Sequence, residues 1–362
     1  MLLRFSTIFH LFFFLLFHAN IFAVSAEKSD NSKEFDVNQM IMHHIGDSHE
    51  FHIMDVDGHA ISFPLPIILW TDNGLVTFLS SEFKHDDLGK VIVKRKEQNF
   101  IKYHEKILYA NQTGLEQHVS YDEKGNVINK KPLDLSITKL VFSMFVSMIL
   151  LGWIFIATAK TYSKSNKGEP RGLGKFTEPL ILFIKDEVAV PMIGEKNYQR
   201  YMPFLLTLFF FIWINNVMGL IPFFPFSANL SGNIAFTFVL AAITFIITTL
   251  VANKDYWKHI FWMPGIPVPM KLFLAPIEFL GIFIKPISLM IRLFANISAG
   301  HIIVLSLISL IFIFKTIWLA PASLFFSVFI SIIEVLVVAI QAYIFTMLSA
   351  LYIGSAIEEH EH

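Results

Sequence analysis

The sequence predicts an all-α polytopic membrane protein that carries a mostly β module in its N-terminal third. Hydrophobic residues make up 54% of the 362 residues and charged residues make up 16%, against about 25% in a typical soluble domain. The charges are unevenly distributed, because Asp, Glu, Lys and Arg total 30 over residues 27–137 and nine over 201–357. A polar region therefore precedes a region made of stretches long and apolar enough to span a bilayer.

The overall composition also narrows the classes of function. The net charge of -1 gives no indication of a nucleic-acid partner. The sequence has no Cys, which excludes disulfides, thiolate metal ligands and cysteine nucleophiles together. The excess of apolar residues disfavours an ordinary soluble enzyme.

Residues 1–26 have the pattern of a secretory signal peptide. Arg4 precedes an apolar run from Leu11 to Phe17, and Val24-Ser25-Ala26 is a small-residue cleavage pattern. The apolar run is too short to span about 30 Å of hydrocarbon. An uncleaved anchor helix is the alternative. Export would place residue 27 and those after it outside the cytoplasm.

Residues 27–137 are predicted to form an extracytoplasmic, mostly β module of five to seven strands. Asp-Gly and Asn-Gly pairs between apolar runs are typical of hairpin turns. Three segments have this character: Asp57-Gly58, Asp72-Asn73-Gly74 and Lys124-Gly125-Asn126.

Histidines and aspartates are concentrated near the start of this module. They are His43, His44, Asp47, His49, His52, Asp55, Asp57 and His59. Such side chains can bind a metal ion, or they can form a solvated polar loop. Because they show no fixed ligand spacing, we favour the loop, and we expect neither a metal nor a cofactor.

Residues 138–362 are predicted to form a membrane domain of about five helices. Leu140–Ala159 is the first span, and five Lys or Arg residues against one Glu follow it over 160–175. Cytoplasmic loops carry such an excess of cations. The segment 176–190 is too short and polar to span and is predicted to be an interfacial helix. Tyr201–Ile221 then crosses outward and Ile234–Ala252 crosses back, which leads to a cytoplasmic C-terminus.

The last two apolar segments are longer than a bilayer requires. As helices, 271–314 would be about 66 Å long and 322–357 about 54 Å long, against a bilayer core of about 30 Å. Each must break into two spans or run strongly tilted. Pro276 and Pro286 permit bends in the first segment, and Pro321 is a favourable start for the second.

These two segments contain charges that are costly in a membrane, since a central Arg costs about 2.5–3.5 kcal/mol on insertion scales. Glu278, Lys285 and Arg292 are spaced by seven and share one helix face, which Ser288 and Asn296 flank. Glu334 and Gln341 share a face of the second segment. His301 lies about 180° from Arg292 and is expected to face a neighbouring helix. The pattern favours a hydrated ion path over ion pairs that only fasten helices.

Several separate motifs resemble those of the a subunits of F-type ATP synthases. The strongest is Arg292-Leu293-Phe294-Ala295-Asn296 followed by Ala299-Gly300-His301. The others, in the order of the chain, are Asp186-Glu187-Val188-Ala189-Val190-Pro191, Asn215-Asn216-Val217-Met218-Gly219-Leu220-Ile221-Pro222, Glu334, Gln341-Ala342-Tyr343-Ile344-Phe345 and Glu358-Glu359-His360. The resemblance covers about 138–362, and the module at 27–137 lies outside the common family core.

The resemblance implies a proton-translocating stator subunit with no catalytic site of its own, in a bacterial inner (plasma) membrane. Its implied partners are a ring of small proteolipid subunits, the peripheral-stalk subunit b, the remaining ATP synthase subunits and membrane lipid. In that family, two half-channels feed a carboxylate on each ring subunit, with an Arg between them.

Each candidate residue takes its role from that resemblance. Arg292 matches the Arg between the half-channels, and Asn296 and Gln341 match polar residues near it. Glu278 matches an acid of the inner half-channel. His301 and Glu334 match a His/Glu pair of the outer one, which some bacterial members carry exchanged. Two supporting positions come from the spacing and not from the resemblance: Lys285 is expected to form a structural pair with Glu278, and Ser288 flanks Arg292.

Two other classes of function remain as alternatives. A stand-alone secondary transporter with an exported sensing module predicts inverted repeats, and none is visible. An intramembrane hydrolase requires a nucleophile with its base or a metal motif such as His-Glu-x-x-His. The sequence has no such metal motif and no convincing nucleophile.

Overall fold

The structure is a computed structural model that describes residues 46–358 apart from 57–58, 112–117, 165–171, 222–224, 264 and 315. The predicted signal peptide at 1–26, His43, His44 and the Asp57-Gly58 turn lie outside these residues. The β module with the start of the first long helix forms one compact unit, and the remaining helices form a second.

The module contains eight strands within its described residues, so the prediction of five to seven was too low. The strands are β1 Glu50–Val56, β2 His59–Pro64, β3 Pro66–Thr71, β4 Gly74–Leu79, β5 Val93–Arg95, β6 Gln98–Tyr103, β7 Lys106–Tyr109 and β8 Leu133–Asp134. They form the antiparallel sheets β1-β2, β4-β3-β8 and β5-β6-β7. β5 and β8 are only three and two residues long, too short for an alternating pattern to reveal.

One hairpin turn was predicted from Asn and Gly in the sequence, and two others were not. The hairpin predicted at Asp72-Asn73-Gly74 is present: Asp72-Asn73 forms its turn, and Gly74, with a φ of 88°, begins β4 and pairs with Thr71. Two other hairpins turn through Lys96-Glu97 and His104-Glu105, whose φ angles of 43°, 63°, 48° and 57° are all left-handed. Because Gly and Asn usually occupy such positions, these turns carry no recognisable signal. The segment at 124–126 forms a turn flanked by a single bridge between Tyr121 and Val127.

The module is held together by an apolar core and by a buried group of charges. The inner faces of the strands contribute Ile67, Leu69, Val76, Phe78, Val93, Phe100 and Ile107 to that core. Nearby, the side chain of Lys102 is only 2% exposed, and its Nζ lies 3.5 Å from Glu50 Oε1 and 3.4 Å from Glu105 Oε1. Such burial is tolerable because the carboxylates compensate the lost hydration.

His49 belongs to the same charged group. Its Nε2 lies 3.2 Å from Asp134 Oδ2, and its Nδ1 lies 3.6 Å from Glu105 Oε2. His49 is 3% exposed, so the prediction of a solvated loop was wrong for this residue. Among the described residues, no three His, Asp or Glu side chains are grouped so that they could hold a metal ion.

Within its described residues, the membrane domain contains five helices that are long and apolar enough to span a bilayer, as predicted. They are α1 Lys139–Lys164, α4 Tyr198–Gly219, α5 Ile234–Val251, α7 Val268–Phe314 and α8 Ala320–Ile357; the shorter helices are α2 Gly174–Phe183, α3 Val190–Ile193 and α6 Lys254–Phe261. A π-helical segment, Ile184–Ala189, joins α2 to α3 and buries Ile184, Val188 and Ala189. The predicted helix at 176–190 is thus present, with a π-helical part.

The two longest helices are continuous. α7 has 47 residues and contains Pro276 and Pro286 without a break, and α8 has 38 residues and carries Pro321 in its first turn. Of the two alternatives, the structure therefore excludes a division into separate spans. At 1.5 Å per residue the helices are about 70 Å and 57 Å long.

The charged group of the module makes its stability dependent on pH. Burial alone lowers the pKa of His49, but Asp134 and Glu105 outweigh it and raise that pKa from 6.5 to about 9. Burial likewise opposes ionisation of Glu105, but His49 and Lys102 lower its pKa from 4.5 to about 2. Both contributions are fully present between pH 4.5 and 6.5.

We predict that the module loses up to about 3 kcal/mol of stability as the pH rises from about 6.5 through 9. Hydrogen exchange of β6 and β8 in the purified complex, corrected for intrinsic rates, measures the loss. His49→Gln is expected to remove this pH dependence. An identical pH dependence in wild type and variant would contradict the prediction.

Candidate functional site

The candidate site lies along an antiparallel pair formed by α7 and α8. His301 Nε2 on α7 lies 3.8 Å from Glu334 Oε1 on α8, so His301 faces a neighbouring helix, as predicted. The hydroxyl of Ser323 donates to the carbonyl of Leu307. The contact between His301 and Glu334 sets the register of the two helices at this level, and the Ser323 bond joins the start of α8 to α7.

That register places Arg292 and Gln341 at nearly the same level. Arg292 precedes His301 by nine residues, and Gln341 follows Glu334 by seven. Because the helices run in opposite directions, the two offsets point the same way and differ by about 3 Å. Gln341 is buried, and Arg292 is partly buried.

The Glu334 carboxylate is buried without full compensation. Its side chain is 5% exposed, and its Oε1 accepts no hydrogen bond from the described residues. The distance of 3.8 Å between Glu334 Oε1 and His301 Nε2 is longer than a direct hydrogen bond. A small movement of either side chain would bring the two atoms within hydrogen-bond distance. Buried carboxylates of this kind are costly in a membrane and are typically functional.

Gly300 provides the space that Glu334 occupies. A Cβ at Gly300 would lie 2.5 Å from Glu334 Oε1 and 2.8 Å from its Cδ, so a larger residue must displace the carboxylate. Gly281, on the same helix, has no heavy atom within 4 Å of such a Cβ. The sequence motif included Gly300, but nothing in it revealed this contact.

The polar stripe of α7 has no internal ion pair between its acid and its lysine. Glu278, Lys285 and Ser288 are partly buried, and Asn296 is exposed. The expected pairing of Lys285 with Glu278 was wrong, because the Lys285 ammonium lies 5.7 Å from the centre of the Tyr352 ring and forms no ion pair with Glu278 within the described chain. Two helical turns separate the residues, and Lys285 is drawn to α8 instead.

Glu278 lies close enough to Tyr256 on α6 for its charge to act on the phenol. Burial raises the pKa of Tyr256 on α6, and the charge of Glu278 adds to that rise. Nothing in the sequence indicated a role for Tyr256, because the packing of the short helix α6 against α7 leaves no local pattern in the residues.

A second set of polar groups is buried around the C-terminal end of α4. Asn215 and Asn216 lie near the C-terminal end of α4, which ends at Gly219, and the short segment Leu230–Gly232 packs against α4, α5 and α7. Within the described residues, the buried atoms without hydrogen-bond partners there include Asn215 Oδ1, Asn216 Oδ1 and Nδ2, Ser231 Oγ and Ser298 Oγ. Buried polar atoms without partners, on elements that pack together, indicate a place where small polar species can enter. In the sequence, this region was indicated by the pair Asn215-Asn216 within an otherwise apolar span.

A bundle of five membrane helices with a charged stripe and an incompletely compensated buried carboxylate defines an ion-translocating membrane protein. Residues 140–354 match the family model described as ATP synthase A chain. The chain belongs to this family. Residues 40–135 match a separate model, a domain of unknown function (DUF8433).

Three relatives show the extent of the similarity. The ATP synthase subunit a of Chloroherpeton thalassium is 42% identical over 235 residues, which cover 63% of this chain and 69% of the relative. The protein of the same name from Chlorobium phaeobacteroides strain DSM 266 is 42% identical, covering 67% and 72%. That of Anaeromyxobacter dehalogenans strain 2CP-C is 36% identical, covering 76% and 72%.

Family membership decides between the alternative functions. The chain is a non-catalytic, proton-translocating subunit of the membrane sector of an ATP synthase, and it is a multi-pass membrane protein. A stand-alone transporter is not favoured.

We predict that Gly300→Ala slows proton transport roughly tenfold or more, because the added Cβ displaces the Glu334 carboxylate. ATP-driven acidification of vesicles containing the assembled complex measures the effect. Gly281→Ala on the same helix is the matched control and should pump at the wild-type rate. Equal rates in the two variants would show that the Glu334 position does not matter.

Proposed function

We propose that this chain passes protons through two offset half-channels to and from the carboxylates of a rotating ring of small proteolipid subunits. The observation that carries the proposal is the register of α7 and α8, in which the His301–Glu334 contact brings Arg292 level with Gln341. The guanidinium of Arg292, which stays positively charged, then lies between two separate polar regions.

Arg292 suits the position between the half-channels because guanidinium does not release its proton in a protein. It cannot pass a proton directly from one half-channel to the other. It attracts an ionised ring carboxylate by about 4 kcal/mol at 4 Å and an effective dielectric constant of about 20. This attraction favours proton release as a ring site approaches Arg292 and proton uptake after it has passed. Asn296 and Gln341 are assigned to the polar surroundings of this encounter.

The outer half-channel is assigned to His301 and Glu334 with the orphaned polar groups around Asn216. Histidine titrates in the physiological range and can relay a proton when a carboxylate orients it. This composition favours protons over sodium as the coupled ion. The driving force is about 2.3 kcal/mol per charge for each 100 mV of membrane potential.

The inner half-channel is assigned to Glu278. The proximity of Tyr256 to Glu278 supports a polar surrounding there. Lys285 and Ser288 are supporting residues on α7. The ammonium of Lys285 extends toward the ring of Tyr352 on α8.

The proposed topology follows from the charge distribution. Residues 1–26 are assigned to a signal peptide, 27–137 to a module outside the cytoplasm and 138–362 to the membrane domain. The cations of 160–175 then lie in the cytoplasm, as does the C-terminus, with the chain in a bacterial inner membrane. α7 and α8 run tilted, because each exceeds the thickness of the bilayer core. Further proposed contacts are with subunit b of the peripheral stalk and with lipid.

We predict that Arg292→Ala abolishes coupled proton transport while the complex still assembles. Arg292→Lys should also fail, because a buried lysine can lose its proton. Acidification of vesicles driven by ATP, with and without sodium, is the measurement, and co-purification of the other subunits is the control for assembly. Normal pumping by Arg292→Ala would contradict the assignment of Arg292 to the position between the half-channels.

We predict that His301→Leu and Glu334→Leu each slow transport, whereas the exchange of His301→Glu with Glu334→His restores part of it. The reason is that the exchange keeps a carboxylate beside an imidazole. Transport is measured over about pH 6–9, which brackets the histidine titration. A double exchange no faster than the slower Leu variant would mean that the two residues are not an interchangeable pair.

A further inference from the structure

The outer face of the sheet β4-β3-β8 is apolar and exposed. Five large side chains on it are between 47% and 62% exposed: Trp70, Leu75, Leu79, Leu133 and Leu135. The opposite face of the same strands buries Ile67, Leu69, Val76 and Phe78. The exposed face is therefore a second apolar surface, in addition to the core of the module.

The strand register makes this face contiguous. Trp70 on β3 is opposite Leu75 on β4 and Leu133 on β8, and Pro66 is opposite Leu79. Beyond β8, the amide of Leu135 donates to the carbonyl of Ile68. The apolar side chains thus extend across the full width of the sheet. Contiguous exposed apolar surfaces of this kind typically mark an interaction site.

The charge pattern of this surface differs from that of the rest of the module. The alternation of side chains along β3, β4 and β8 and the bond of Leu135 to Ile68 assign eight residues to it: Pro66, Ile68, Trp70, Leu75, Thr77, Leu79, Leu133 and Leu135. None of the eight is acidic. The exposed Lys131 precedes Leu133 by two residues, and just beyond β3 the carboxylate of Asp72 is paired with Lys130 at 2.8 Å. Asp134 takes the opposite side, where it contacts His49.

The sheet is joined to the membrane helix α1 by a short connection, residues 135–138. The chain after β8 stays paired with β3 as far as Ile137, whose amide donates to the carbonyl of Pro66. α1 begins at Lys139, and its first free amides donate to the Ser48 carbonyl, at 2.8 Å, and to Asp47 Oδ1, at 3.1 Å. Because Leu135 lies four residues before Lys139, it is held within about 13 Å of the start of this helix.

We propose that this face binds the headgroup and acyl boundary of the membrane that α1 enters. Trp side chains favour that boundary, the leucines bury apolar area in it, and Lys131 meets the phosphate of anionic lipids. The contact fixes the module against the bilayer. The proposal depends on α1 as a membrane span and is independent of the sidedness of the module and of the half-channel assignments.

The absence of Cys from the chain permits a direct test in the intact ATP synthase. Leu133→Cys and Leu135→Cys are each labelled with an environment-sensitive fluorophore, and the unsubstituted chain gives the background from other subunits. Ile128→Cys is the matched control, because Ile128 is apolar and 59% exposed but does not belong to the face. All complexes must retain ATP-driven pumping, which establishes that they are assembled.

The labelled complexes are placed in vesicles of phosphatidylcholine and phosphatidylglycerol that contain lipids with nitroxide-labelled acyl chains. We expect several-fold stronger quenching by these lipids at 133 and 135 than at 128, and the reverse order with aqueous iodide. Lys131→Gln should reduce the lipid quenching at 133 in anionic vesicles and leave it unchanged in pure phosphatidylcholine.

Two results would overturn the proposal. Equal, weak lipid quenching at all three positions with full access to iodide would mean that the face is exposed to water. Protection from iodide without lipid quenching would mean that protein covers it, either another subunit or a second copy of the chain.

Discussion

The antiparallel register of α7 and α8 is the constraint on which the arrangement of the site depends. His301, Arg292, Gln341 and Glu334 lie on two helices, and their relative heights follow from where those helices touch. A slip of one turn would move the partners by about 5.4 Å, which is enough to separate the imidazole from the carboxylate. The chemistry of the site is therefore set by helix packing as much as by the identity of its residues.

Small residues and backbone bonds hold this packing in place. Gly300 leaves room for the Glu334 carboxylate, and Gly354 on α8 allows close approach by the carbonyl of Met192. At the end of α8, the backbone amide of Asn253 donates to the Ala356 carbonyl and its side chain donates to the Ile357 carbonyl, both at 2.8 Å. These bonds satisfy carbonyls that a helix end leaves free, so the end of α8 is fixed relative to the connection between α5 and α6.

The module uses a different source of rigidity. Its core is small, and charged side chains that would be costly alone are buried together around Lys102 and His49. The same region supplies the acceptors for the first amides of α1, through Asp47 and Ser48. The charges of the module and the start of the membrane helix are therefore parts of one hydrogen-bonded structure. Helix starts that lie at a membrane surface require such acceptors, because their amides have no partner within the helix.

The sequence by itself determined the five spans, the continuous polar stripe and the orientation of His301 away from Arg292, because hydrophobic length and helical periodicity are local properties. It also determined the β3–β4 hairpin, through Asp72-Asn73-Gly74. Only the tertiary structure decided that α7 continues through Pro276 and Pro286, that Lys285 lies against Tyr352 and not beside Glu278, and that Gly300 contacts Glu334. Each of these depends on a neighbouring helix or strand far away in the chain, and the free energy of packing between distant segments leaves no local pattern in the residues.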